Sequence, residues 1–205
     1  MRSTIYNEGG AYQMAVLDRR KQVVAAAEKS FALFGYKATT MDQVAKIANV
    51  AKGTIYNFFE NKEQLFGEIL RSIITDMKTI AEQKVREEDS FFDNVYRSMD
   101  ALLEYRQEHG LLIKLFQEVS EFGTPQAKEG LQRVESAILD YLERQIARAM
   151  DLKEIRSFNP KVISFVMFKL YVALTSDWNK YNEPLREAEI KEFVSLFLKN
   201  GLSPI

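Results

Sequence analysis

The sequence predicts an all-α protein of about nine helices, an N-terminal three-helix helix-turn-helix unit followed by a larger helical body. Three observations carry that expectation. Residues 39–65 read TTMDQVAKIANVAKGTIYNFFENKEQL, two short amphipathic segments around a turn and then the opening of a third. Beyond Lys62 the apolar residues recur at helical spacing, without strand-like alternation or internal repeat. Only four prolines and nine glycines interrupt the 205 residues, which leaves room for long helices.

Residues 1–14 hold a Gly-Gly pair and little pattern, and read as a flexible arm in which Arg2 is a candidate minor-groove contact. Helix one is expected over Val16–Phe34, with Val23, Val24, Ala27, Phe31 and Phe34 as its inner stripe and Gly35 as its stop. Its cluster of Arg19, Arg20 and Lys21 fits a solvated face and phosphate contact equally well. Thr40 then caps a helix, and Gln43 completes a capping box. Met41, Val44, Ala45 and Ala48 share one face of it, small enough for close helix approach. Asn49, Val50 and Ala51 form the corner, Asn49 because it tolerates turn geometry.

The next helix, Lys52–Phe58, should bury Ile55 and Phe59 and present Lys52, Thr54, Tyr56 and Asn57 outward. Gly53 among them would let the backbone approach a duplex closely. Asn61 and Gln64 cap a further helix, with Lys62 in its first turn. That helix is expected to run to Arg86, and a Ser90-capped one to the break at Gly110. A short helix over Leu112–Val119 follows, then helices opened by Thr124-Pro125 and Asn159-Pro160, reaching Met150 and Tyr181. Pro184 should open the last, which Gly201 ends.

Thr40, Val44, Ala45, Ala48, Val50, Gly53, Thr54, Ile55, Tyr56, Phe59, Lys62 and Leu65 together resemble the DNA-binding region of the TetR family of bacterial transcriptional regulators. With Arg20–Gly35 as a first helix, the resemblance covers about a third of the chain. Phe58, where a more polar aromatic or His is common, and Glu60, a negative charge near the expected phosphate path, depart from the pattern. The resemblance implies a DNA-binding domain over 15–62 and an effector-binding, dimerising body over 63–205. Lys52 and Thr54, then Asn57, are the expected base-edge contacts; Tyr56, Lys62 and Thr40 are expected on phosphates. The expected role is that of a repressor, released from a two-fold double-stranded operator when a small apolar or amphipathic effector binds.

Composition sets further bounds. Net charge is −1, but residues 1–62 carry nine Lys+Arg against five Asp+Glu, a net of +4, and the remainder 19 against 24, a net of −5. A basic head on an acidic body suits a DNA-binding unit joined to one with another task. The absence of cysteine excludes disulfides, thiol catalysis and thiolate metal sites. No apolar run reaches membrane-spanning length and no signal core precedes Gly9, so a cytoplasmic location is expected.

The body is rich in large side chains. Tyr96, Met99, Leu103, Phe116, Met167, Tyr171 and Trp178 are together the candidates to line an apolar effector pocket, although any one of them taken singly is better read as core filling. The segment from Val162 to Leu174 is apolar nearly all round and must be covered on several sides. A second copy of the chain is the expected cover, through Phe165 and Phe168 together with Phe193 and Phe197 of the last helix. His109, the one histidine, reads as a helix-end cap, and no metal or other cofactor is expected. No nucleophile–base pair or phosphate loop points to an enzyme. The rival to the effector reading is a DNA-binding protein whose body serves protein–protein contacts alone.

Overall fold

In a computed structural model that describes residues 8–202, the first helix, α1, runs Glu8–Ala38. It starts ahead of the expected Val16, so Glu8–Met14 are helical rather than an irregular arm; Arg2 lies outside the described residues. Gly35 breaks its regularity with φ 82°, ψ 171°, a conformation that costs glycine little and other residues much. The break redirects the chain. Phe34, expected inside, is 49% exposed, and Tyr36 turns inward in its place. Tyr36 stacks on Phe31 at 5.8 Å and meets Phe66 at 4.8 Å, while Phe31 meets Phe66 edge-on at 5.3 Å. The buried Ser30 hydroxyl shares a 3.2 Å hydrogen bond with that of Thr39.

Helix α2 is Met41–Ala48 and α3 is Lys52–Tyr56. The expected capping box is present: Gln43 N donates to Thr40 Oγ1 at 3.2 Å, and Thr40 N to Gln43 Oε1 at 2.8 Å. Asn49 adopts the left-handed conformation (φ 52°) and donates its N–H to the carbonyls of Ala45 and Lys46, closing α2. Helix α4 spans Lys62–Lys84. Asn61 Oδ1 accepts from Gln64 N at 2.8 Å, but the Gln64 side chain reaches back to Glu60 N (2.9 Å), one residue earlier than a strict box.

Then come α5 (Phe91–Glu108), α6 (Leu111–Phe122), α7 (Pro125–Asp151) and α8 (Pro160–Val172). Ser90 caps α5 through Asp93 N (3.2 Å), and Asn159 caps α8 through Lys161 N (3.0 Å). At the start of α7 only the carbonyl of Thr124 is used, by Lys128 N; its hydroxyl makes no hydrogen bond among the described residues. Past α8 the chain widens into a π turn (Ala173–Asp177) and a 3₁₀ turn (Trp178–Lys180), so the helix expected to Tyr181 is not uniform. The last helix, α9, is Glu187–Val194 rather than one opened by Pro184, because Glu189 Oε2 accepts Arg186 N at 2.9 Å and sets the start there. A second π turn (Ser195–Lys199) and a closing turn, α10 (Asn200–Leu202), follow. No strand occurs among the described residues, and none of their helices is long and apolar enough to cross a membrane.

Two compact units result. The first gathers the described residues up to 73 with 109–131, and in it α6 packs on α1. Glu118 of α6, only 4% exposed, accepts the Lys37 N–H at 3.0 Å just past the Gly35 break. The second gathers 74–108 with 132–205 around a core of Phe91, Phe92, Met99, Ile146, Met167 and Ile190.

A Cβ on Gly35 would overlap Glu118 Oε2 as well as occupy a disfavoured φ. Gly35→Ala should therefore cost about 1–3 kcal/mol, visible as a lowered thermal midpoint. An unchanged midpoint would mean that the break carries no strain for alanine.

Candidate nucleic-acid interface and ligand cavity

In the first unit the packing of α3 decides which of its side chains reach solvent. Ile55 (0% exposed) and Phe59 (4%) fasten it to the core. Thr54 N bonds the Ala51 carbonyl at 2.9 Å and Asn57 N that of Gly53 at 3.1 Å. Lys52, Gly53, Tyr56 and Asn57 are left exposed and Thr54 half-buried, on the side away from the anchors. Nothing lies within 4 Å of the place a Cβ would take on Gly53, so the free protein does not require glycine there. Lys52 Nζ pairs with Asp42 Oδ1 at 2.7 Å and lies 6.0 Å from the Tyr56 ring; Asp42 raises its pKa. Both partners are exposed, and such a pair holds the lysine weakly.

Two cations have roles in the fold that the sequence did not reveal. Lys62 Nζ donates to the carbonyls of Tyr36 (2.8 Å) and Thr39 (3.0 Å) and sits 4.2 Å from the centre of the Tyr36 ring. Partial burial lowers its pKa, and two of its three N–H bonds serve the fold. Lys62 thus ties the start of α4 to the end of α1. Arg20 pairs with Glu68 at 2.7 Å and lies over the Phe59 ring at 5.0 Å, which makes it a packing residue, while Arg19 and Lys21 are exposed. Hydrogen bonds from Arg20 and Arg71 hold the Glu68 carboxyl below its ordinary range. Tyr36 OH donates to Glu63 Oε1 at 2.7 Å, and burial pushes its phenol pKa up.

The second unit contains a half-open cavity of about 390 Å³. Of the residues expected to line a pocket it brings together Met99, Met167 and Tyr171. Tyr96 and Leu103 pack against the core of the same unit without lining the cavity. Phe116 belongs to the first unit and is 42% exposed. Trp178 is exposed, with Nε1 donating to the Glu183 carbonyl at 2.9 Å. Phe168, expected at a dimer interface, is buried and lines the cavity, because α8 turns Ser164, Met167 and Phe168 inward. Phe165, Phe193 and Phe197 remain exposed, beside Val162, Val166 and Leu196. His109 follows the end of α5 and does not line the cavity. Among the described residues no cluster of metal-ligating side chains occurs.

Sequence reasoning passed over the α7 wall. Val134, Ile138, Tyr141, Gln145 and Arg148 all line the cavity, and their three- and four-residue spacing was the available signal. Arg106 donates to Thr175 Oγ1 (3.0 Å) and Ser176 Oγ (2.7 Å), while Thr175 Oγ1 donates to the Tyr171 carbonyl (2.8 Å). The guanidinium thereby satisfies hydroxyls on the π turn next to a cavity-lining residue. Burial raises the Tyr171 phenol pKa, and Arg106 opposes the shift.

A helix-turn-helix with an outward polar recognition helix defines a DNA-binding protein, and comparison gives the class a family. The sequence profile of "Bacterial regulatory proteins, tetR family" matches residues 23–69. The HTH-type transcriptional regulator YhgD of Bacillus subtilis is 46% identical over 187 residues, covering 91% of this chain and 98% of that protein. Two solved structures share the fold. The reduced form of Escherichia coli NemR has TM-score 0.73 at 18% identity, over 91% of this chain and 98% of that one. A SmeT–triclosan complex has TM-score 0.70 at 17% identity, over 91% and 92%. The chain belongs to the TetR family of bacterial regulatory proteins. It is a DNA-binding transcriptional regulator.

Lys62→Ala should lower the thermal midpoint, by the equivalent of about 1–2 kcal/mol for two charge-assisted bonds to carbonyls. A midpoint equal to that of the parent would return Lys62 to a purely DNA-facing role.

Proposed function

We propose that this regulator is a homodimeric repressor, released from its operator when a small apolar or amphipathic molecule fills the cavity of the second unit. The observation that carries the reading is the continuity of α4. Its first residue, Lys62, grips the Tyr36 and Thr39 carbonyls beside the helix-turn-helix. Farther along the same helix, Ile74, Met77 and Ala81 line the cavity. A ligand that prefers one position of α4 shifts the population toward it, and it can do so only through different affinity for the two states. A complex of the same fold with triclosan supports a cavity of this kind as a small-molecule site.

Dimerisation is supported by Val162, Phe165 and Val166 on α8 and by Phe193, Leu196 and Phe197 at the end of α9 and in the turn after it, all 40–60% exposed. Both triplets follow helical spacing, so each makes an apolar stripe that a second copy of the chain can cover. Two copies present two α3 helices to half-sites about 34–36 Å apart on one duplex face. In this reading Lys52, Thr54 and Asn57 meet base edges with Gly53 allowing the approach, and Thr40 and Tyr56 meet phosphates. Lys62 has one N–H left for a phosphate while it holds the end of α1. The working place is the cytoplasm, where the operator lies.

Selection of bound duplexes from random DNA should return a two-fold sequence, and Thr54→Ala should relax it at one position per half-site, by about tenfold. Recovery of sequences without two-fold symmetry would remove the dimeric operator from the reading. Phe165→Glu with Phe197→Glu should yield a folded monomer in sedimentation and lose operator affinity. A variant that sediments as the parent would move the interface elsewhere.

A further inference from the structure

We infer that the occupant of the second-unit cavity is an anionic amphiphile, an apolar chain ending in a carboxylate or phosphate. The inference rests on reading that cavity as the effector site, and it adds the charge and polarity of the ligand.

Its ground is the order of lining residues along the helices. On α4 the lining runs from Ile74, Met77 and Ala81 to Val85, with Arg86 just past the helix end. On α7 it runs from Val134, Ala137 and Ile138 to Arg144 and Arg148. Both series reach arginines near their C-terminal ends, before Glu87 and Asp89 on one side and Ala149, Leu152 and Glu154 on the other, and both ends lie in the same place. Glu154, shortly after α7, accepts the Phe91 N–H at 2.6 Å, and Phe91 opens α5 directly after the segment holding Arg86. One end of the cavity is therefore apolar and the other is cationic.

The carboxylates at that end do not outweigh the arginines. Asp89 pairs with Arg97 at 2.6 Å, while Glu154, bonded only to the neutral Phe91 N–H, keeps its charge; Glu87 and Glu154 therefore offset two of Arg86, Arg144 and Arg148 and leave one positive charge in excess. None of these three guanidiniums has an ion-pair partner among the described residues, and all three are exposed, which marks this end as the mouth. Arg144 lies near enough to the half-buried Tyr141 to act on its phenol, so the cationic end meets the lining directly. Lys78 and Asp140 also line the cavity, with opposite signs that offset each other. A planar guanidinium carries a fork of N–H donors suited to carboxylate or phosphate oxygens. A neutral chain would leave that fork unused, and a cationic one would be repelled by it.

Calorimetric titration of the purified full-length protein with decanoate, decyl phosphate, decanol and decyltrimethylammonium, each below its micellar concentration, tests the inference. Both anions should bind at least about tenfold tighter than decanol, the scale of one lost charged hydrogen bond, and the cation most weakly. The tighter of the two anions identifies the head group. Across octanoate, decanoate and dodecanoate, affinity should rise by about fourfold per methylene until the apolar end is filled. Arg144→Gln with Arg148→Gln should bring decanoate to the level of decanol and leave decanol unchanged. Arg144→Glu with Arg148→Glu should turn the preference toward decyltrimethylammonium. Equal binding of decanoate and decanol by the parent, or a preference for the cation, would overturn the anionic head while leaving the cavity an effector site. Failure of all four probes to bind would overturn both.

Discussion

The positive φ of Gly35 is the constraint on which the helix-turn-helix depends. By breaking α1 it sends Tyr36 into the core against Phe31 and Phe66 and leaves Phe34 outside. The carbonyls and N–H groups freed at the break then need partners, since a helix end cannot satisfy its own. Lys62 supplies donors to Tyr36 and Thr39, and Glu118 accepts from Lys37. One glycine conformation therefore collects α1, α4 and α6 around a single joint. The same joint sets where α2 begins, because Thr39 is buried there and Thr40 caps the next helix.

The recognition surface is built by subtraction. Helix α3 has only five residues, too few for stability of its own, and it is held by Ile55 within it and Phe59 beyond it. What those anchors do not use is available to a duplex. Lys52 is restrained only by an exposed pair with Asp42, so it can leave that partner at small cost. Lys62 is in the opposite position, since leaving its two carbonyls would open the end of α1.

In the second unit packing and cavity share walls. Met99 and Met167 belong to the buried cluster and also line the cavity, where their unbranched, adaptable side chains serve both. Arg106 spans from α5 to the π turn after α8, donating to the hydroxyls of Thr175 and Ser176.

Local sequence was enough for whatever depends on neighbours a few residues apart. The Thr40–Gln43 box, the left-handed Asn49, the Ser90 and Asn159 caps and the buried pair Ile55 and Phe59 are all readable because their partners lie within one or two turns. The all-helical fold class is legible for the same reason, since it follows from periodicity. Contacts across distant positions were not legible. The bond between Lys37 and Glu118 spans 81 residues, and the hold of Lys62 on Tyr36 spans 26. The exposure of Phe34 and Phe116 and the inward turn of Phe168 likewise depended on which neighbouring helix arrived on which side. A helical stripe states that a face will be covered; only the assembled chain states by what, because coverage is a property of distant residues brought together.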